Sequence, residues 1–342
     1  MIDVKNNPAA MAFSVRAAEL RFPLIVLLVA YHSLLSLGYE CNIIEMRLPG
    51  FLVVMFLMFS GYFLTWRLEN SENISYGNMI WKKVKSLLIP YLLWNLLLFV
   101  PHYLLDARAA GGEFSPILSA LGDAFGVTAR FPVDVPLWFL RNLFLCFLIS
   151  PLLLKLARIP GMIFVAVPLL FLEYYFWQEN PLVGFVMFFT GMIMGLKKYD
   201  LRWMDRIFWY TVPLLTAVLF VVYRAWNNGN ILSDVIIQVS PAVIGALLMI
   251  RAGLILEKNR NGKIKTFLVW CSAASTLIFC AHSPMLSITA RILRRFCFSQ
   301  PALLGIWILQ TVAVILICCI ANHLGKKWFP KTMELFTGGR FG

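Results

Sequence analysis

The sequence predicts an all-α, polytopic integral membrane protein: a bundle of about ten transmembrane helices with both termini in the cytoplasm. Its 342 residues are 60% hydrophobic and only 14% charged, whereas a soluble domain keeps about a quarter of its residues charged. The apolar residues form successive runs of roughly 15 to 20, close to the length that crosses the hydrocarbon core as a helix. We therefore expect lipid to be the solvent for most of the chain.

The apolar runs define the predicted helices in chain order. The first run begins after Arg21 and lacks a small-residue cleavage site, so it predicts a membrane helix and not a signal peptide. No polar segment is long enough to fold alone, so residues 1–342 are expected to form a single transmembrane domain. The predicted helices cover residues 22–37, 50–66, 86–105, 137–154, 161–177, 182–196, 207–223, 235–250, 267–287 and 302–323.

The distribution of Lys and Arg predicts the orientation. If the N-terminus is inside, 22 of the 30 Lys and Arg residues fall on inner segments, as the positive-inside rule requires. The net charge of +13 would suggest a nucleic-acid partner in a soluble protein. Here the rule accounts for the charge, so we expect no nucleic acid. The predicted location is multi-pass in the cell inner (cytoplasmic) membrane.

The cysteine pattern argues against a metal site. There are seven cysteines, without a C-x-x-C pair or a His/Cys metal spacing, so no metal is expected. Cys41 and Cys297 lie near predicted outer loops, which leaves a disulfide between them open. The other five lie in apolar runs and are expected to be small core residues: Cys146, Cys271, Cys280, Cys318 and Cys319.

Two histidines lie within apolar runs, where an ionisable residue is a functional candidate by default. His32 follows Arg21 by 11 residues on one run, which is about 16 Å along a helix and nearly three full turns. Both side chains therefore project from nearly the same face. A neutral imidazole can accept a proton, as a general base must. His282 lies deep in the ninth helix. The alternative for each is a packed histidine bonded to a neighbouring helix.

Three further features are candidates for binding or packing. Lys82 and Lys85, at i, i+3 spacing before the third helix, can bind phosphates or simply fix topology. Arg141, just inside the outer end of the fourth helix, needs an anionic partner such as Asp134 or must reach the interface. The pair Ser60-Gly61 in the second helix lets another helix or a ligand approach closely, with packing as the default.

In this order the motifs resemble the bacterial membrane acyltransferase-3 family, which includes O-antigen, exopolysaccharide and peptidoglycan acetyltransferases. Arg21 and His32 match its basic residue, ten residues and His in helix one. The segments FLMFSGYFL, KKVKSLLIPYLLWN, PLWFLRNLFLCFLISPLL and LIFCAHSPML are similar to its later elements. The chain departs from the family by having Lys82 and Lys85 where two arginines are common, and Val53 and Val54 where many members have an acid.

The resemblance implies transfer of an acyl group, acetyl by family precedent, from cytoplasmic acyl-CoA to a hydroxyl of a cell-surface glycan or lipid-linked glycan. His32 would be the catalytic base or a covalent relay. Arg21, Lys82 and Lys85 would bind the donor's phosphates. Arg141 and His282 would position the acceptor or stabilise the oxyanion.

Two other functions stay open from the sequence. A transporter or flippase for a lipid-linked or acidic molecule would use the same histidines for proton coupling, and a purely structural membrane subunit would use them for packing. A measurement of acyl-donor consumption distinguishes an acyltransferase from a transporter and from a structural subunit. The acceptor, the acyl chain length and the oligomeric state, including a homo-oligomer, are not encoded in any readable motif.

Overall fold

A computed structural model describes residues 8–38, 50–70, 75–109, 115–129, 131–175, 184–197, 203–224, 270–293 and 300–339, with a few isolated positions between them. Within these ranges all regular secondary structure is helical and no strand occurs. The predicted helical class is therefore confirmed for this part of the chain. The predicted eighth helix lies almost wholly outside the described residues, as do Cys41 and Cys297.

The helices follow the predicted runs but are often longer. Apolar runs mark the part of a helix that can lie in lipid, and helical backbone continues beyond it where polar side chains can reach water. The elements are α1 (Pro8–Ser36), α2 (Gly50–Asn70), α3 (Tyr76–Lys83), a π-helical segment (Val84–Leu88), α4 (Ile89–Ala109), α5 (Ile117–Ala124), a 3-10 turn (Val135–Leu137), α6 (Trp138–Leu148), α7 (Ser150–Ala157), α8 (Met162–Tyr175), α9 (Phe185–Leu196), α10 (Trp203–Arg224), α11 (Ser275–Leu293), α12 (Gln300–Trp328) and α13 (Pro330–Thr337).

Three helical stretches in the described ranges are long and apolar enough to cross a membrane: Tyr76–Leu105, Ser275–Leu293 and Ala302–Trp328. A fourth span is formed if the pair α6 and α7, bent by 64°, is taken together. The chain is thus a helical protein with several membrane-length apolar helices. The number of ten spans and the cytoplasmic location of both termini stay predictions.

The chain divides into two compact units. Unit one comprises residues 1–24, 40–75 and 148–269, and unit two comprises residues 25–39, 76–147 and 270–342. In unit one, α2 and α9 pack backbone to backbone. A Cβ on Gly61 would overlap the Phe188 carbonyl, and one on Gly191 would overlap the Met58 carbonyl. The packing role predicted for Gly61 is therefore confirmed.

Unit one also contains a buried carboxylate with a structural task. Glu173 of α8 accepts hydrogen bonds from the backbone N–H groups of Gly184, Val186 and Met187, at 2.8, 3.1 and 3.1 Å. These groups belong to the first turn of α9, where backbone donors have no partner within the helix. The negative charge also suits the positive end of the helix dipole. Glu173 therefore caps α9 from a neighbouring helix.

In unit two, a single buried amide holds three helices together. Gln310 of α12 accepts a hydrogen bond from Ser33 of α1 at 2.9 Å. Its amide nitrogen donates to Thr289 Oγ1 at 2.8 Å and to the Leu286 carbonyl at 3.2 Å, both on α11. The Trp307 indole of α12 adds a bond to the Ala30 carbonyl of α1 at 2.7 Å. These bonds fix the register of α1, α11 and α12 against one another.

Two predicted helices differ from the structure in instructive ways. The fourth, predicted as one helix over 137–154, is broken between α6 and α7, because Pro151 lacks the N–H needed to continue the ladder. The third, predicted from residue 86, is helical from Tyr76 and passes through the π-helical segment. The first turns of this helix contain lysines, so they are too polar to be recognised as part of an apolar run, although their backbone is helical.

Candidate active site

The two membrane histidines form a pair in unit two. His32 lies one turn before the end of α1, and His282 lies near the middle of α11. Their ring centroids are 5.2 Å apart with an interplanar angle of 49°. His282 is fully buried, whereas His32 is partly exposed. The sequence suggested each ring separately, and the structure brings the two together.

The hydrogen bonds of His282 define its tautomer. Its Nδ1 atom lies 2.7 Å from the Phe279 carbonyl oxygen and 3.2 Å from that of Ile278. A carbonyl oxygen only accepts, so Nδ1 must carry the proton and donate it. The Nε2 atom then has the lone pair, and it is buried without a hydrogen-bond partner among the described residues. His282 can therefore accept a proton or a hydrogen bond at Nε2.

An acidic side chain lies near Ser283, the residue that follows His282 on α11. Asp134 is buried just before the 3-10 turn, which packs against α11. Its backbone N–H donates to Asn95 Oδ1 of α4 at 3.1 Å. The Ser283 hydroxyl, next to His282 in sequence, is near its carboxyl group. Neither carboxylate oxygen has a hydrogen bond of standard geometry in the described part of the chain.

The coil that carries Asp134 enters the helical region. Asn95 and Ser283 both lie well inside apolar membrane-length spans, so the segment beside them does too. Non-helical backbone at that depth is tolerated only when it is buried in protein or lines a water-filled cavity. The sequence placed residue 134 in an outer loop and considered it only as a partner of Arg141. Its position near Ser283 had no sequence signal.

Arg141 holds this coil in place. Its Nη1 atom donates to the Gly126 carbonyl at 2.5 Å, and its Nε atom donates to Asn142 Oδ1 at 3.0 Å. The Tyr91 hydroxyl of α4 donates to the adjacent Phe125 carbonyl at 2.5 Å. Gly126 has φ of +57°, a conformation that favours glycine. Arg141 thus contacts the backbone of the segment that leads to Asp134.

The basic motif lies at the junction of α3 and the π-helical segment. Lys82 is exposed near the end of α3. Lys85 is also exposed, and its ammonium nitrogen lies 5.5 Å from the centroid of the Trp81 ring. The intervening Lys83 lies over the Phe147 ring at 3.9 Å. Two exposed lysines on one turn can bind phosphates. Arg21 lies in α1, and its side chain is outside the described part of the structure.

Comparison with known proteins assigns the chain to a family. The model of the acyltransferase-3 family, described as an acyltransferase domain, matches residues 20–323. The chain is also similar to the succinoglycan biosynthesis protein ExoH of Rhizobium meliloti (strain 1021), with 26% identity over 305 residues that cover 83% of this chain and 77% of the relative. No solved structure matches it. Because the family match spans most of the chain and includes both histidines of the pair, the protein belongs to the acyltransferase-3 family.

Proposed function

We propose that the protein transfers an acyl group, acetyl in the first instance, from cytoplasmic acyl-CoA to a hydroxyl of a cell-surface glycan or a related acceptor. The family membership supports acyl transfer, and the name of the similar protein refers to the biosynthesis of a glycan. The observation that carries the proposal is the adjacency of His32 and His282 inside apolar helices. Two ionisable side chains within apolar helices are energetically unfavourable in a lipid environment, and a catalytic function would explain why both are present.

In the proposed reaction, His32 takes the proton of the acceptor hydroxyl as its oxygen attacks the thioester carbonyl carbon. The new C–O bond forms, the C–S bond breaks, and the imidazolium returns the proton to the CoA thiolate. Transfer through an acyl-His32 intermediate is the other route. His282, protonated at Nδ1, presents a lone pair at Nε2 and so suits acceptor positioning through an accepted hydrogen bond.

The basic residues and Arg141 complete the proposal. Arg21, Lys82 and Lys85 bind the phosphates of the donor at the inner membrane face, each as a positive charge. Lysine lacks the planar fork of arginine, so these contacts are point-charge contacts. Arg141, through its bond to the Gly126 carbonyl, acts as a positioning residue for the acceptor side of the site.

A transfer assay with matched histidine variants tests the function. The assay uses the protein in nanodiscs, radiolabelled acetyl-CoA and de-O-acylated succinoglycan as the acceptor. We expect His32→Ala to lower kcat by about 10²-fold or more, the usual size of general acid–base effects. His282→Ala should also lower activity, through the loss of acceptor positioning. His323→Ala is the control, because His323 is an exposed histidine on a membrane-length helix.

The outcomes separate the competing functions. Label transferred by the wild type and His323→Ala, but not by His32→Ala, supports the proposal. Full activity of His32→Ala contradicts its catalytic assignment. If the wild type consumes no acetyl-CoA with this acceptor or with total cell-envelope glycan, yet moves a labelled lipid-linked glycan across vesicles, the protein is a transporter. Label retained on the protein without acceptor indicates the covalent route.

A further inference from the structure

Unit two contains buried polar atoms that the protein leaves without hydrogen bonds. Among the described residues, they include Nε2 of His282, Oγ of Ser275 and Oδ1 of Asn322. Each unpartnered buried atom costs about 1–3 kcal/mol, and such atoms are rare in folded proteins. His282 and Ser275 lie on α11, and Asn322 is bonded to the Ala273 carbonyl just before it, so the three form a group along this helix.

Ser275 and Asn322 lie together at one end of this group. The Asn322 amide nitrogen donates a long hydrogen bond, 3.4 Å, to the Ala273 carbonyl, two residues before Ser275. Ser275 is fully buried and Asn322 nearly so. The amide of Gln310, on the same helix α12, is bonded on both its oxygen and its nitrogen. Asn322 therefore differs from a buried amide that only joins helices.

The position of Ser275 relative to His282 follows from the helix. Seven residues separate them on α11, which is two turns, so both project from nearly one face about 10 Å apart along the axis. An extended pantetheine arm places its second amide about 9 Å from the sulfur, by standard bond lengths. If the thioester lies at the histidine pair, as the proposed function requires, that amide reaches the level of Ser275.

The chemistry of the two side chains matches one amide group. A serine hydroxyl can donate to a carbonyl oxygen, and the asparagine Oδ1 atom can accept from an N–H. A secondary amide offers one acceptor and one donor. We propose that Ser275 and Asn322 bind the second amide of the pantetheine arm of the acyl donor. This inference rests on the proposed function, and it identifies a donor subsite separate from the phosphate-binding residues.

Binding of truncated donors tests the subsite without an acceptor. S-acetyl-pantetheine has both amides, whereas S-acetyl-N-acetylcysteamine keeps only the amide nearer the sulfur, and neither has a phosphate. Calorimetry on the protein in nanodiscs gives Kd for both. We expect the wild type to prefer acetyl-pantetheine by roughly tenfold, the size of one or two net hydrogen bonds. Ser275→Ala and Asn322→Leu should lose most of this preference and bind the shorter thioester as the wild type does.

The control is Thr311→Val on α12, because the buried Thr311 hydroxyl is bonded to the Trp307 carbonyl of its own helix at 2.8 Å. It should keep the preference. Unfolding temperatures confirm folding. Ser275→Ala removes a hydroxyl without a hydrogen bond and should not lower the unfolding temperature, whereas Asn322→Leu also removes the long bond to the Ala273 carbonyl and should lower it only slightly. The proposed subsite is wrong if Ser275→Ala keeps the preference for acetyl-pantetheine. It is also wrong if the wild type shows no such preference. Either result would indicate that bound water, and not the donor, satisfies these polar atoms. If the wild type does not bind acetyl-CoA either, the proposed function itself fails.

Discussion

At the scale of single residues, hydrogen bonding separates buried polar groups that hold the fold from groups that await a ligand. Glu173 and Gln310 are both buried in apolar surroundings, and every described bond to them joins two helices. Asp134 is equally buried, yet its carboxylate is without a standard hydrogen bond. Burial of an ionisable carboxyl group is costly, so its retention near Ser283 of α11 indicates a task outside folding.

Replacement of Asp134 by Asn tests that task. Asn has the same shape and cannot ionise, so a purely structural Asp134 should tolerate the change with unchanged or higher stability. We expect Asp134→Asn to lower acyl transfer by about tenfold or more, because the acid lies near Ser283, one residue from His282, and an acid in this region can take part in proton transfers. The measurements are kcat in the transfer assay and the unfolding temperature.

Asp123→Asn provides the comparison for this experiment. Asp123 is exposed and accepts a hydrogen bond from Thr128 at 2.5 Å, so its replacement should leave kcat almost unchanged. Full activity of Asp134→Asn, with raised stability, would show that Asp134 has no part in the reaction.

The sequence predicted His32 and His282 because an ionisable residue stands out in an apolar run. It could not predict Asp134, Ser275 or Asn322 as site residues. Small polar groups are common in membrane helices, where a neighbouring helix often satisfies them. Their lack of a partner is visible only when the surrounding helices are known. The pairing of the two histidines likewise depends on tertiary structure, since they are 250 positions apart in the chain.

At the scale of elements, glycine decides how α2 and α9 pack. Gly61, Gly191 and Gly195 each face backbone or a buried side chain of the other helix, with no room for a Cβ. Lipid gives no hydrophobic driving force between helices, so close van der Waals contact must hold them together. The pair Ser60-Gly61 made a close contact of α2 predictable in kind, but not which helix it would meet.

Gly191→Ala should therefore destabilise unit one. Its Cβ would overlap the Met58 carbonyl, and backbone cannot move aside as a side chain can. Overpacking costs typically 1–3 kcal/mol, so we expect the unfolding temperature to fall by roughly 5 °C or more. A thiol-reactive dye can follow unfolding, because the described cysteines are buried thiols. Gly305→Ala on α12 has open space around its Cβ and should be neutral; equal stability of both variants would contradict the packing argument.

The elements that the sequence missed share one physical cause. Hydropathy measures whether a segment can lie in lipid, not where the backbone hydrogen-bond ladder changes. Pro151 was visible in the sequence and accounts for the break before α7. The π-helical segment Val84–Leu88 and the short helix α13 have no comparable signal. Both occur at the basic motif, and π-helical turns are frequent at functional sites.

At the scale of the whole molecule, the C-terminal helix is tied to the basic motif. The Trp94 indole donates to the Phe336 carbonyl at 3.1 Å, and the two rings are in edge contact. Gly338, with φ of +71°, lies so close to the Ser86 backbone that a Cβ would overlap it. The end of α13 and the turn between Lys82 and Lys85 are therefore at the same end of unit two.

This contact makes the location of the C-terminus a test of the proposed donor side. Gly338 lies against the backbone of Ser86, one residue after Lys85. The C-terminal end of α13 and the basic motif must therefore lie on the same side of the membrane. The positive-inside rule predicts that this side is the cytoplasm. A C-terminal alkaline phosphatase fusion should be inactive and a green fluorescent protein fusion fluorescent. The control is a phosphatase inserted after Ala110, in the predicted outer loop, which should be active. An active C-terminal phosphatase would place Lys82 and Lys85 outside, where cytoplasmic acyl-CoA cannot reach them.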